Sequence, residues 1–129
     1  MTPTTPSIAH VHALQSKIED IFSEGLEQRY ARHRRTNALV HDWVRRRGFE
    51  FFAEEGYRSL TLTAVRNNLG LDVADLVKRL RARHHFVIDR GYGKIKGQTF
   101  RVSNMGDETE ETVALLLAAL DDCLDAARA

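Results

Sequence analysis

The sequence predicts an α+β fold: a sheet of about four antiparallel or mixed strands with helices on one side, preceded by a long N-terminal helix. Three observations carry this. Apolar residues at Ile8, Val11, Leu14, Ile18, Ile21 and Phe22 fall on one face of a helix. Between Gly48 and Gly106, short alternating runs are bounded by Gly, Asn and Asp. A last helical stripe follows at Val113, Leu116, Leu117, Leu120 and Leu124. With 129 residues the chain can bury a single core, and it reads as one domain: a leading segment and helix over 1–47, then an α+β body over 48–129.

Met1 to Pro6 is extended by its prolines and by the bias they impose on Thr2 and Thr5. Ser7 is placed to cap the first helix. The apolar period resumes beyond Gly25 at Leu26, Tyr30, Asn37, Val40 and Val44, so residues 8–47 read as one long helix bent at Gly25, or two in close succession. Gly48 ends it as a residue just past a helix C-terminus would. Strands are expected over Phe49–Glu54, Leu60–Arg66, Phe86–Ile88 and Thr99–Met105. Asp72 caps a short helix with Val73, Leu76, Val77 and Leu80 inside. Asp107, with Glu110 three residues later, has the form of a capping box opening the last helix.

Composition excludes several function classes. Nineteen Lys and Arg against eighteen Asp and Glu give a formal charge of +1, with no global drive toward nucleic acid or anionic membranes. No apolar run approaches the ~20 residues of a membrane span, and Met1–Pro6 lacks signal-peptide character, so a cytoplasmic location is expected. The single Cys123 forms no internal disulfide and falls on a helix stripe as a packing residue. Arg29, Arg32, Arg34, Arg35, Arg45, Arg46 and Arg47 cluster on the first helical stretch. They read as a solvated face compensated by Glu19, Asp20, Glu24 and Glu27; a nucleic-acid surface is the competing reading. His84 and His85 are expected on opposite sides of a strand start, with Cys123 far along the chain, so no metal site is expected.

The stretch with chemical character is Gly91-Tyr92-Gly93-Lys94-Ile95-Lys96-Gly97-Gln98-Thr99-Phe100-Arg101-Val102-Ser103-Asn104-Met105-Gly106. A glycine-rich turn leads into a strand whose alternation puts Thr99, Arg101, Ser103 and Met105 on one face, and Phe100, Val102 and Asn104 on the other. Arg101 is either a solvent-facing arginine on an edge strand or a guanidinium fork held out to grip a carboxylate. Residue pattern alone leaves both open.

This stretch and its acidic helix start resemble the C-terminal, small domain of class V (fold type I) PLP-dependent aminotransferases, on the alanine–glyoxylate and serine–glyoxylate branch. Thr2-Pro3-Thr4-Thr5-Pro6-Ser7-Ile8, Glu24-Gly25-Leu26-Glu27 and Leu62-Thr63-Ala64-Val65 resemble further motifs of that family in order, so the similarity runs over nearly the whole chain. The resemblance implies that Arg101 binds the substrate α-carboxylate and that Thr5 reaches the pyridoxal 5'-phosphate of a neighbouring subunit. It implies an amino acid and a 2-oxo acid such as glyoxylate as substrates, and a homo-oligomer (in the family, a dimer) or a separate large-domain chain as partner. None of Lys17, Lys78, Lys94 and Lys96 lies in the family's Schiff-base context, so no catalytic residue is assigned and the chain is expected to be inactive alone. Two other readings stand beside it: a free-standing anion-binding or regulatory module built on Arg101, and a nucleic-acid binder using the arginine-rich helix.

Overall fold

The computed structural model describes residues 6–126, which form two compact units, one up to Arg32 and one from His33 onward. The long N-terminal helical stretch is two helices, α1 (Ile8–Glu24) and α2 (Leu26–Arg46). Gly25 separates them at φ 88° and ψ 135°, a conformation that side-chained residues resist.

In the first unit, Ile8, Val11, Leu14, Ile18 and Phe22 of α1 are all exposed. Glu24 closes α1 and gathers two arginines from the start of α2: Arg29 Nη1 at 2.8 Å, and Arg32 through Nε at 2.6 Å and Nη2 at 2.9 Å. The Arg32 guanidinium, seconded by Arg29, holds the Glu24 carboxyl at about 2.

The second unit is built on a three-stranded sheet, not the four strands the pattern predicts. The strands β1 (Glu50–Phe51), β2 (Leu62–Arg66) and β3 (Thr99–Ser103) lie in the order β1-β2-β3, all antiparallel. Thr63 pairs with Val102 and Val65 with Phe100, and these four side chains form a buried face. Thr36, Asn37, Val40, Trp43 and Val44 of α2 are buried in the same unit. Trp43 stacks on Phe49 with centroids 5.6 Å apart, and Phe49 meets Phe100 edge-on at 5.3 Å. Each such large side chain taken fully out of water stabilises the fold by about 1.5–3 kcal/mol.

α3 (Val73–His84) starts as expected, with Asp72 Oδ1 accepting from the backbone N–H groups of Ala74 and Asp75 at 2.9 and 3.0 Å. It buries Val73, Leu76 and Leu80. α4 (Glu110–Asp125) buries Val113, Leu117, Leu120, Cys123 and Leu124. Its capping box is not Asp107 with Glu110 but Thr109 with Thr112, whose hydroxyls and backbone N–H groups reciprocate. The missing strand is Phe86–Ile88. His85 adopts a left-handed φ of 60° at the end of α3, and the chain leaves in an extended path. That path pairs with β3 only at Asp89, opposite Arg101. The first strand is also shorter than expected, since only Glu50 and Phe51 pair with β2. Among the described residues, no helix is long and apolar enough to cross a membrane.

Candidate functional site

The alternation of β3 decides where Arg101 goes. Phe100, Val102 and, just beyond the strand, Asn104 are fully buried, so Arg101 stands on the opposite face, beside Ala64 of β2. Its backbone N–H donates to the Asp89 carbonyl at 2.9 Å. The same residue also receives the side chain: Asp89 Oδ1 accepts from Arg101 Nε at 2.9 Å and lies 2.8 Å from Nη2. A third donor, the Gly91 N–H, reaches that oxygen at 2.6 Å. The guanidinium also lies over the Tyr92 ring, 4.8 Å from its centroid.

Asp89 and Gly91 form a turn in which an aspartate accepts from the backbone two residues on. Gly91 holds φ 74°, and a Cβ there would sit 2.6 Å from Thr99 Oγ1 and 2.9 Å from the Ile95 carbonyl oxygen. Only glycine fits. The Arg101 guanidinium beside it, helped by Tyr92 and the Gly91 N–H, holds the Asp89 carboxyl at about 2. The pair is about 30 % exposed on each side, so solvent screens part of its attraction.

Arg101 and Asp89 line a groove of about 470 Å³, within the range of small-ligand sites. Leu62, Phe86, Ile88 and Leu116 give it apolar walls, and Ser103 and Glu108 add polar groups. Arg101 is therefore neither in bulk water nor an isolated edge residue. Sequence reasoning singled out Arg101 but missed Asp89 and Tyr92. The available signal was Asp89-Arg90-Gly91, an aspartate two residues ahead of a glycine, the pattern of a side-chain-closed turn.

The other candidate residues are placed as follows. Thr5 lies outside the described residues. His84 and His85 are not on a strand; His84 ends α3, where its Nε2 lies 2.8 Å from Asp122 Oδ2. Chain distance did not keep Cys123 away: His84, Asp122 and Cys123 bring their ligand atoms within 4.8 Å of one another. Arg83 sits 3.1 Å from the same Asp122 carboxylate, and burial pushes the Cys123 thiol up, both of which oppose a cation there. The arginines of α2 are compensated partly by nearby acids and partly from far along the sequence. Arg35 pairs with Glu110, Arg47 with Asp121 and Asp125, and Arg45 with Asp42; of the four acids expected to compensate them, Glu24 does so, through Arg29 and Arg32.

No family model matches the chain. Curated relatives do. It is 32% identical over 127 residues to the pyridoxamine–pyruvate transaminase of Mesorhizobium japonicum, covering 97% of this chain and 32% of that enzyme. It is 31% identical over 120 residues to the serine–glyoxylate aminotransferase of Arabidopsis thaliana, covering 92% of this chain and 30% of the relative. The crystal structure of alanine–glyoxylate aminotransferase from Nostoc sp. superposes with a TM-score of 0.85 at 29% identity, over 96% of this chain and 33% of that one. The relatives and structural neighbours that the chain matches are class V aminotransferases. It spans about a third of the length of the aminotransferases it matches, as a C-terminal small domain would.

An aminotransferase of this class uses pyridoxal phosphate, which needs a lysine to hold it covalently. Among the described residues, no lysine lines the groove that holds Arg101. The groove that holds Arg101 therefore offers no side chain for covalent attachment of that cofactor.

Proposed function

We propose that the chain is the small domain of an alanine- or serine–glyoxylate-type aminotransferase and that Arg101 binds the substrate carboxylate. The observation that carries this is the placement of Arg101: a mid-strand guanidinium lining a groove of small-molecule size, steadied by Asp89 and Tyr92. A planar fork of this kind matches a carboxylate in two parallel hydrogen bonds, which a lysine cannot do. The groove's apolar walls suit the short carbon skeleton of an amino acid or 2-oxo acid. In the complete enzyme, pyridoxal phosphate and the lysine that holds it belong to the remaining two thirds, contributed by the same chain or by a partner. The 129 residues by themselves do not transaminate. Thr5, from the N-terminal segment, reaches the cofactor phosphate of a neighbouring subunit, and the enzyme works in the cytoplasm as a homo-oligomer.

The test is direct. In the complete enzyme, Arg101→Ala weakens amino-acid substrate binding by about 2–5 kcal/mol, the scale of removing one partner from a buried charge pair. Arg101→Lys also fails to restore it. Unchanged substrate kinetics in Arg101→Lys would overturn the reading. Coding DNA beside this segment that lacks any lysine-bearing cofactor domain would favour a free-standing anion-binding module instead.

A further inference from the structure

We infer that Asp89 is a positioning residue that holds the Arg101 guanidinium side-on, leaving its Nη1 end to receive the carboxylate. The inference rests on the carboxylate-binding reading of Arg101 given above.

An unsupported arginine has many rotamers, and ordering them at the moment of binding costs affinity. Here the ordering is already done. Both contacts to Asp89 use one edge of the guanidinium, Nε at 2.9 Å and Nη2 at 2.8 Å, and converge on a single oxygen, Oδ1. Nη1 takes no part in either. That oxygen is itself fixed, because Gly91 N–H donates to it at 2.6 Å and the Asp89 carbonyl is tied to the Arg101 backbone at 2.9 Å. Tyr92 stacks on the flat side of the guanidinium and restricts its tilt. Edge, backbone and face are thus each constrained by a different group, all within Asp89–Tyr92.

A competing geometry would have Asp89 grip the guanidinium end-on, through both oxygens, in the place a substrate carboxylate needs. Contact with one oxygen along the Nε edge is the opposite arrangement. The two make opposite predictions for loss of Asp89: a positioning residue weakens carboxylate binding when removed, whereas a competitor strengthens it.

The experiment uses the 129-residue chain, its Asp89→Ala and Asp89→Asn variants, and nitrogen-edited NMR of the arginine Nε–H groups. In the wild type the Arg101 Nε–H exchanges slowly with water. In Asp89→Ala it exchanges like an exposed arginine, and Asp89→Asn, which retains an acceptor oxygen, is intermediate. Titration with glyoxylate then shows binding weakened roughly tenfold in Asp89→Ala and partly rescued in Asp89→Asn. A Nε–H that exchanges equally fast in all three chains overturns the inference, as does glyoxylate binding unchanged or tightened in Asp89→Ala. A slowly exchanging Nε–H that responds to Asp89 loss but never to glyoxylate supports the pinning and sinks the carboxylate-binding reading instead. Asp89→Asn keeps the comparison intact should Asp89→Ala fail to fold.

Discussion

The indole N–H of Trp43 donates to Asp121 Oδ1 at 2.7 Å, tying the centre of α2 to α4 across 78 residues of sequence. Asp121 also takes Arg47 Nε at 3.2 Å. One carboxylate therefore satisfies a fully buried indole and a cation at once.

Removing it leaves the Trp43 N–H without its partner. Asp121→Ala is expected to destabilise the chain by about 1–3 kcal/mol, the cost of a buried donor left unsatisfied. Trp43→Phe, which removes donor and need together, costs less than Trp43→Ala, for which about 3–5 kcal/mol is expected. Urea unfolding followed by tryptophan fluorescence measures the Asp121→Ala effect; an unchanged midpoint would refute it.

Asn104 predicts an order of severity. Its side-chain amide donates to the His33 carbonyl at 3.3 Å, Thr36 Oγ1 at 2.9 Å and the Leu60 carbonyl at 3.0 Å. Asn104→Ala strips these acceptors and leaves a void, at a cost of about 1–3 kcal/mol. Asn104→Asp turns an acceptor-only carboxylate toward two carbonyl oxygens, so near neutral pH it is the worse of the two. Equal unfolding midpoints for Asp and Ala would contradict this.

The Asp89–Arg101 pair predicts a stability loss in acid. The folded-state value of Asp89 is about 2, against an ordinary 3.8. A carboxyl with a depressed folded value contributes stability that is fully present above its unfolded value and is lost as pH falls through the folded one. The contribution is therefore intact above about pH 4 and disappears between about pH 4 and 2. Asp89→Asn should show a shallower fall in urea midpoint over that window than the wild type. Parallel curves would count against it. Glu24 titrates over a similar window, so the comparison is made as a difference between the two chains.

The glycines of the turn are not equivalent. Gly91→Ala drives a Cβ into Thr99 Oγ1 and the Ile95 carbonyl at φ 74°, while Gly93→Ala, at φ 53°, meets nothing within 4 Å. The first is expected to cost more than about 2 kcal/mol and the second about 1. Thermal melts of the two variants separate them; a Gly93 variant melting lower would reverse the assignment.

Much of the fold is legible in the sequence because periodicity reports it. The stripe from Val113 to Leu124 and the alternation of β3 need no knowledge of neighbours, since each follows from which side of an element meets water. What periodicity cannot report is pairing. Phe86, Val87 and Ile88 alternate as a strand does, yet after His85's left-handed turn none of the three pairs with β3, and the first bridge comes at Asp89. The last helix opens two residues later than the acidic pair suggests, because the hydroxyls of Thr109 and Thr112 cap each other's backbone N–H groups in place of Asp107 with Glu110. At the candidate site Arg101 was readable from its strand and motif. Asp89-Arg90-Gly91 signals a turn, but that the turn's aspartate meets Arg101 twelve residues on depends on the bridge to β3, which no local pattern reports.

Two isolated bridges, Asp89 opposite Arg101 and Lys96 opposite Thr99, are all that pair the 86–98 segment with β3 among the described residues, and they give this unit a separable exterior. Phe100, Val102 and Asn104 bind the strand inward, while the loop that steers Arg101 is attached outward at Asp89 and Lys96. That loop can accordingly be redrawn between those two attachments while the buried strand face of Phe100, Val102 and Asn104 stays untouched.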